Sequence, residues 1–274
     1  MKCAIPLVAA AILAAASPSA RAGTDHLGGF RSVAGEETAR ALWVNPARIG
    51  MRGHATAAIE LVWLGTPAGA SGKLQTLSVA AGSNRAVYGF QWEFDDVSGI
   101  ADWVVSTGGH TTLRNGTAFG STLEYRGGED DTFDATAGVS IPLGGLVAAL
   151  VVRDLLEADT DGVATNRTWR AGAAYRSAQL RGFASYDYLG AWGRDSEHWF
   201  GATVDALREL RLSYFTNTDG DWNAALSFGF GRSSLSAGRY EPDEGDTGGF
   251  ATARRDFAGL DWDSRAARRS RPRH

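Results

Sequence analysis

The chain has one cysteine, Cys3, and it precedes an apolar run at the N-terminus. A fold held by disulfides is excluded, and a mature chain without thiols suits export to an oxidising compartment. Lysine is nearly missing: Lys2 and Lys73 are the only two, and arginine supplies the rest of the positive charge. The net charge of −4 leaves no basic face of the kind nucleic acid requires, so no nucleic-acid partner is expected. Beyond the N-terminus no stretch reaches the roughly 20 consecutive apolar residues of a spanning helix. If this chain sits in a membrane it must cross as a closed barrel, because lipid offers no partners to open backbone groups. Catalytic patterns are scarce as well. The five histidines (His26, His54, His110, His198 and His274) are scattered, with no H-E-x-x-H. No G-x-S-x-G elbow occurs, and Lys73 has no evident serine partner for a Ser–Lys dyad. Asp159-Thr160-Asp161-Gly162 lacks the downstream glutamate of an EF-hand loop. Asp95-Asp96 and Asp130-Asp131 read as solvated loop tips. No enzyme activity, metal or cofactor is expected.

Glycine (35) and tryptophan (9) are plentiful. Lys2, the apolar run Ala4–Ala16 and the A-x-A site Ala20-Arg21-Ala22 read as a signal peptide over residues 1–22. The clearest element is Trp222–Tyr240. Trp222, Ala224, Leu226, Phe228 and Phe230 share one parity, whereas Asn223, Ala225, Ser227 and Gly229 share the other. Successive strand side chains point to opposite faces, so this is a strand with one greasy and one small, polar face. Gly231-Arg232 turns it into a weaker partner strand.

Fourteen such candidates follow Gly53. Strand 3, Arg85–Asp95, is nearly ideal, with Ala86, Tyr88, Phe90, Trp92 and Phe94 alternating against Val87, Gly89, Gln91 and Glu93. Strand 4, Asp102–Thr111, is interrupted by Gly108-Gly109, and strand 14, Gly248–Phe257, is crowded by Arg254, Arg255 and Asp256. Short turns follow the even-numbered strands and longer polar loops the odd ones, the pattern of an outer-membrane barrel. Aromatics near strand ends (Trp63, Trp92, Trp169, Tyr188, Trp222) suit interfacial girdles. A periplasmic β-sandwich is the alternative. The expected fold class is all-β, an antiparallel transmembrane barrel of 12–14 strands over residues 53–262, with a basic tail over 263–274.

Between leader and barrel, residues 23–52 lack strand alternation. Glu36–Leu42 reads as a short helix stopped at Pro46 in Val44-Asn45-Pro46-Ala47. The run RSVAGEETARALWVNPARIG, followed directly by alternating strands, resembles the N-terminal region of FadL-type outer-membrane transporters of hydrophobic compounds. It is equally similar to the FadL-like barrel module that precedes some SppA-type proteases. The resemblance implies a periplasmic plug carrying Asn45, Pro46 and Ala47 inside a 14-stranded barrel. It also implies passive uptake of a hydrophobic small molecule across the outer membrane. The alternative is a non-transporting anchor for a periplasmic protein such as an SppA-type protease, whose catalytic part this chain lacks.

The remaining signal is charge of the inward parity: Glu60, Glu93, Glu124, Arg126, Arg170, Arg181 and Arg211 among others. So many charges need partners or water. They are either ion-pair ladders that stiffen the lumen or the lining of a wet conduit. Phe183, Trp199 and Phe215 are the aromatics of inward parity and the candidates for an apolar recess. Outer-membrane lipid is the expected surrounding.

Overall fold

The computed structural model describes residues 30–49, 55–64, 73–83, 86–94, 101–127, 132–156, 159–160, 163–164, 167–177, 182–191, 196–241 and 248–257. The expected leader (1–22) and basic tail (263–274) lie outside them. Fourteen antiparallel strands close into one barrel. Its first half is β1 (Ala55–Leu64), β2 (Lys73–Gly82), β3 (Ala86–Phe94), β4 (Ala101–Thr112), β5 (Ala118–Gly127), β6 (Thr132–Leu143) and β7 (Leu146–Arg153). Two-residue strands β8 (Asp159–Thr160) and β9 (Val163–Ala164) pair only with each other, within the longest loop. The wall resumes with β10 (Thr168–Ser177), β11 (Gly182–Ala191), β12 (Glu197–Asp205) and β13 (Leu210–Asn217). It ends with β14 (Trp222–Phe230), β15 (Ser233–Glu241) and β16 (Gly248–Phe257). Each strand pairs with its sequence neighbours in the barrel, and β16 closes on β1 from Ala55↔Phe257 to Leu64↔Gly248.

The two strands with the poorest sequence patterns are fully paired. β4 runs for twelve residues through Gly108-Gly109, and β16 supplies the closing ladder despite its charged end. The strands are 8–12 residues long, near the roughly 9–11 a tilted strand needs to cross a bilayer. Two-residue turns Gly144-Gly145 and Gly231-Arg232 sit at one end, and Gly144 and Gly231 adopt positive φ there (70° and 62°). The strand ends joined by the long connections, such as Leu64 and Lys73, lie at the other end. Fourteen is an even count, so β1 begins and β16 finishes at the turn end.

The alternating parity sorts cleanly. Ile59, Leu61, Tyr88, Phe90, Phe119, Leu123, Phe200, Leu212 and Phe228 stand exposed on the outer face. Their neighbours Glu60, Gln91, Thr122 and Thr203 point inward and are buried. Near the loop end three tryptophans repeat one arrangement. Trp63 faces Gly249, Trp103 faces Gly127 and Trp169 faces Gly190 as direct cross-strand partners. A Cβ on any of these glycines would fall 2.3–2.7 Å from the indole, so each ring lies flat over a bare backbone. Covering glycine with a cross-strand aromatic protects the ladder beneath it. Trp103–Tyr125–Phe133 and Trp169–Tyr188 contacts extend the belt.

Candidate functional site: the plugged lumen

The segment Phe30–Ile49 lies inside the barrel and supplies much of the chain's buried apolar core. Val33, Ala39, Ala41, Leu42, Val44 and Ile49 are buried there with Val87, Val151 and Ala174 of the wall. Its helix α1 covers only Ala41–Val44, shorter and later than the Glu36–Leu42 expected from sequence. The reason is local: Glu36 Oε1 accepts from the Glu37 and Thr38 amides and from the Thr38 hydroxyl. The amides that follow, of Ala41, Leu42 and Trp43, bond three residues back to Thr38, Ala39 and Arg40, so this stretch turns tightly before the helix is established.

The Asn-Pro-Ala motif now has a physical account. Asn45 Oδ1 accepts from the Ala47 amide at 3.0 Å, while its Nδ2 donates to the Val33 carbonyl at 2.9 Å. The asparagine thus caps the 3-10 turn Pro46–Arg48 and ties it to the preceding strap, with Pro46 at the position that needs no N–H donor. The wall makes room with glycine. A Cβ at Gly120 would meet Pro46 and Ala47 backbone atoms at 2.3–2.4 Å, and one at Gly138 would meet Asn45 Oδ1 at 2.2 Å. Gly108, the break in the β4 pattern, lies under Leu42.

Polar bonds fix the plug to many strands. Trp43 Nε1 donates to Ser106 Oγ (3.1 Å), Thr122 Oγ1 to the Leu42 carbonyl (2.9 Å) and Arg48 Nη1 to Ser140 Oγ (2.9 Å). The Val33 amide donates to Asp187 Oδ1 at 2.9 Å. Arg153 reaches the Trp43 carbonyl and Arg170 the Arg31 carbonyl. Arg40 Nη2 pairs with Glu60 Oε2 at 2.5 Å, and that oxygen also accepts from Thr252. Glu37 bridges Arg48 and, at 2.7 Å, Arg176. Burial opposes ionisation of Glu36, but Arg40, the Thr38 bonds and Arg31 outweigh it and hold that carboxyl at about 2.

The residues expected at the site separate into distinct groups. Glu60 and Arg170 are plug ligands, Arg170 also lying 4.3 Å over the Phe30 ring. Arg211 pairs with Asp205 at 2.5 Å on the wall. Glu124 and Arg126 are half-buried on β5, toward the loop end. Glu93 lies on β3 in register with Thr76 and Asp102, and Arg181 falls outside the described residues. Phe183, Trp199 and Phe215 do come together, around Phe30. Phe30 stacks on Trp199 at 4.4 Å and tilts against Phe215 at 5.3 Å. The apolar recess therefore exists and is occupied by the plug. Sequence reading missed Phe30, Arg31, Arg40 and Arg48, which show no periodicity because an irregular strap carries them.

The plug leans on β4–β6, leaving a cavity of about 470 Å³ against the opposite wall. Plug residues Arg31, Glu36, Glu37 and Arg40 form one side, and hydroxyls from β12–β16 form much of the other. Arg176, Ser177 and Arg254 place part of it toward the turn end. No group of three potential metal-binding side chains occurs among the described residues.

No protein-family model and no curated protein matches the sequence. Among solved structures, the outer-membrane protein Omp33 of Acinetobacter baumannii is similar at 8% identity. The match covers 74% of this chain and 98% of that one, with a TM-score of 0.53. A mutant porin of Rhodopseudomonas blastica matches at 11% identity over 74% and 99%, with a TM-score of 0.44. The similarity to Omp33 is one of fold, that of an outer-membrane barrel.

Proposed function

We propose that this chain is a FadL-like outer-membrane barrel and a passive route for small solutes, closed at rest by its own N-terminal segment. The observation that carries the reading is an internal plug beside a residual polar cavity in a closed 14-strand barrel. The exposed apolar outer face and the Trp–Gly belt support a lipid surrounding, since contiguous apolar surface of this extent is rare on soluble monomers. The Asn45-Pro46-Ala47 turn inside a 14-strand wall agrees with the FadL resemblance. That resemblance implies hydrophobic passengers. Phe30 fills the aromatic recess at rest, so such a passenger would use it only after Phe30 withdraws. The role is non-enzymatic.

A second reading, a non-conducting anchor for a periplasmic partner, draws support from the number of polar bonds between plug and wall. Planar-bilayer conductance separates the two. Deleting residues 30–49 is expected to produce channels from a nearly silent parent, because fourteen strands leave a lumen wider than side chains alone can fill. A silent deletion variant that still shows the heat-modifiable mobility of a folded barrel would refute the solute route and favour the anchor.

A further inference from the structure

The cavity has a chemistry that the plug does not use up. Four of its five arginines are engaged: Arg40 by Glu60, Arg176 by Glu37, Arg211 by Asp205 and Arg254 by Asp256 at 3.4 Å. Arg31 is different. Its guanidinium lies 4.9 Å from the centre of the Phe250 ring and gives only a long, 3.4 Å bond to the neighbouring Phe30 carbonyl. Among the described residues it forms no ion pair within 4 Å, although Glu60 and Glu36 lie close enough to act on its charge. Burial and then Arg40 lower its pKa to about 10 against the opposing pull of Glu60 and Glu36, so the group stays charged at neutral pH.

Across the cavity, Ser227 of β14 and Ser234 and Ser236 of β15 present their side chains inward. Their hydroxyls have no hydrogen-bond partner among the described residues. By contrast, Thr203 is joined to Ser213 at 3.0 Å and Thr252 is spent on Glu60. A strand wall has no spare backbone donors, so these serines are what it offers a ligand.

We infer that the cavity binds a small hydroxylated monocarboxylate, with Arg31 holding the carboxylate and Ser227, Ser234 and Ser236 holding the hydroxyls. An Arg fork suits a carboxylate better than a point charge would. A dianion is disfavoured, because Glu36 stays ionised on the same lining and the other arginines are already neutralised. The volume of about 470 Å³ suits a molecule of sugar-acid size. This inference rests on the proposed route but gives it a polar solute in place of the hydrophobic passengers that the FadL resemblance implies, and binding is measurable without transport.

The test is calorimetry on the full chain in detergent, with gluconate, glucose, glucose 6-phosphate and hexanoate as probes. Gluconate is expected to bind at least about tenfold more tightly than each of the others. Arg31→Gln should lower gluconate affinity by about tenfold. Its one strand contact on the described residues is the Phe250 ring, which the glutamine stem can still cover, so folding should persist, as checked by heat-modifiable mobility. The double variant S234A/S236A should narrow the gap between gluconate and hexanoate while keeping the preference for charge. Equal binding of gluconate and glucose, no binding of gluconate, or an Arg31→Gln variant that binds like the parent would each overturn the assignment. Gluconate binding by the full chain, together with a 30–49 deletion variant that folds but stays silent in bilayers, would refute the route and leave the site standing.

Discussion

Replacing Gly120 by valine should loosen the docking of the plug without harming the barrel. A Cβ there would lie 2.3 Å from the carbonyl carbon and oxygen of Pro46 and 2.4 Å from the Ala47 nitrogen. These are backbone atoms of a turn fixed by the proline ring and by the Asn45 cap, so they cannot move aside cheaply. Forcing the turn to stay costs about 1–3 kcal/mol of overpacking. Letting it leave forfeits the Trp43–Ser106, Thr122–Leu42 and Arg48–Ser140 bonds, at about 1 kcal/mol each. Full release would also forfeit the segment's buried apolar contacts and its ion pairs with Glu60 and Arg176, so the plug stays docked in most molecules, and the overpacking strain raises the population of the open state. Valine is favourable in a strand, so β5 keeps its ladder. Trypsin reads the outcome, because Arg40 and Arg48 are buried when the plug is docked. Cleavage of an open state tracks its population, so a shift of about 1–3 kcal/mol should speed cleavage about 5–150-fold. Gly229→Val is the control: its nearest neighbour is Glu209 O at 3.8 Å, and cleavage should not change. Unchanged resistance at Arg40 and Arg48 in Gly120→Val would refute the docking of Pro46 on β5.

Three further outcomes are expected. Glu60→Gln removes the partner of Arg40 at a site only 2% exposed and should cost about 3–5 kcal/mol in urea unfolding, with part recovered in Arg40→Gln/Glu60→Gln. Phe90→Arg, at the centre of β3 on the outer face, should cost about 2–4 kcal/mol in lipid refolding, and Ser227→Arg, inside the cavity, much less; equal costs would contradict the facing of these strands. Asp154, just past β7, is raised from 3.8 to about 7 by burial and by its bond to Asp134. The folded barrel keeps that proton where the unfolded chain has lost it. The resulting stability is complete below about pH 4 and is lost as pH rises through about 7, a fall that Asp154→Asn should abolish in melting curves.

The wall was legible because a half-buried strand writes its two faces into alternate residues, as Phe90 and Gln91 or Leu226 and Ser227 do. Where the pattern failed, at Gly108 in β4, the cause was the plug: glycine marks a close approach by Leu42, a constraint no local periodicity encodes. The inward facing of Phe183, Trp199 and Phe215 was readable from parity, whereas their capture by Phe30 was not. That contact joins residues far apart in sequence, one of them on a strap without repeat. Arg31 was invisible for the same reason. It looks like any other arginine until its neighbours are seen to be paired.

The central claim is that Phe30–Ile49 is packed within the lumen as part of the fold. Val33 is fully buried, and with Cys3 replaced by serine the chain has no other thiol. A cysteine at Val33 should therefore resist a small methanethiosulfonate reagent until the barrel unfolds, while one at Ser227, in the cavity, should react in the folded protein. Labelling of the Val33 position as fast as the Ser227 position, in a barrel that still shows folded mobility, would contradict the account.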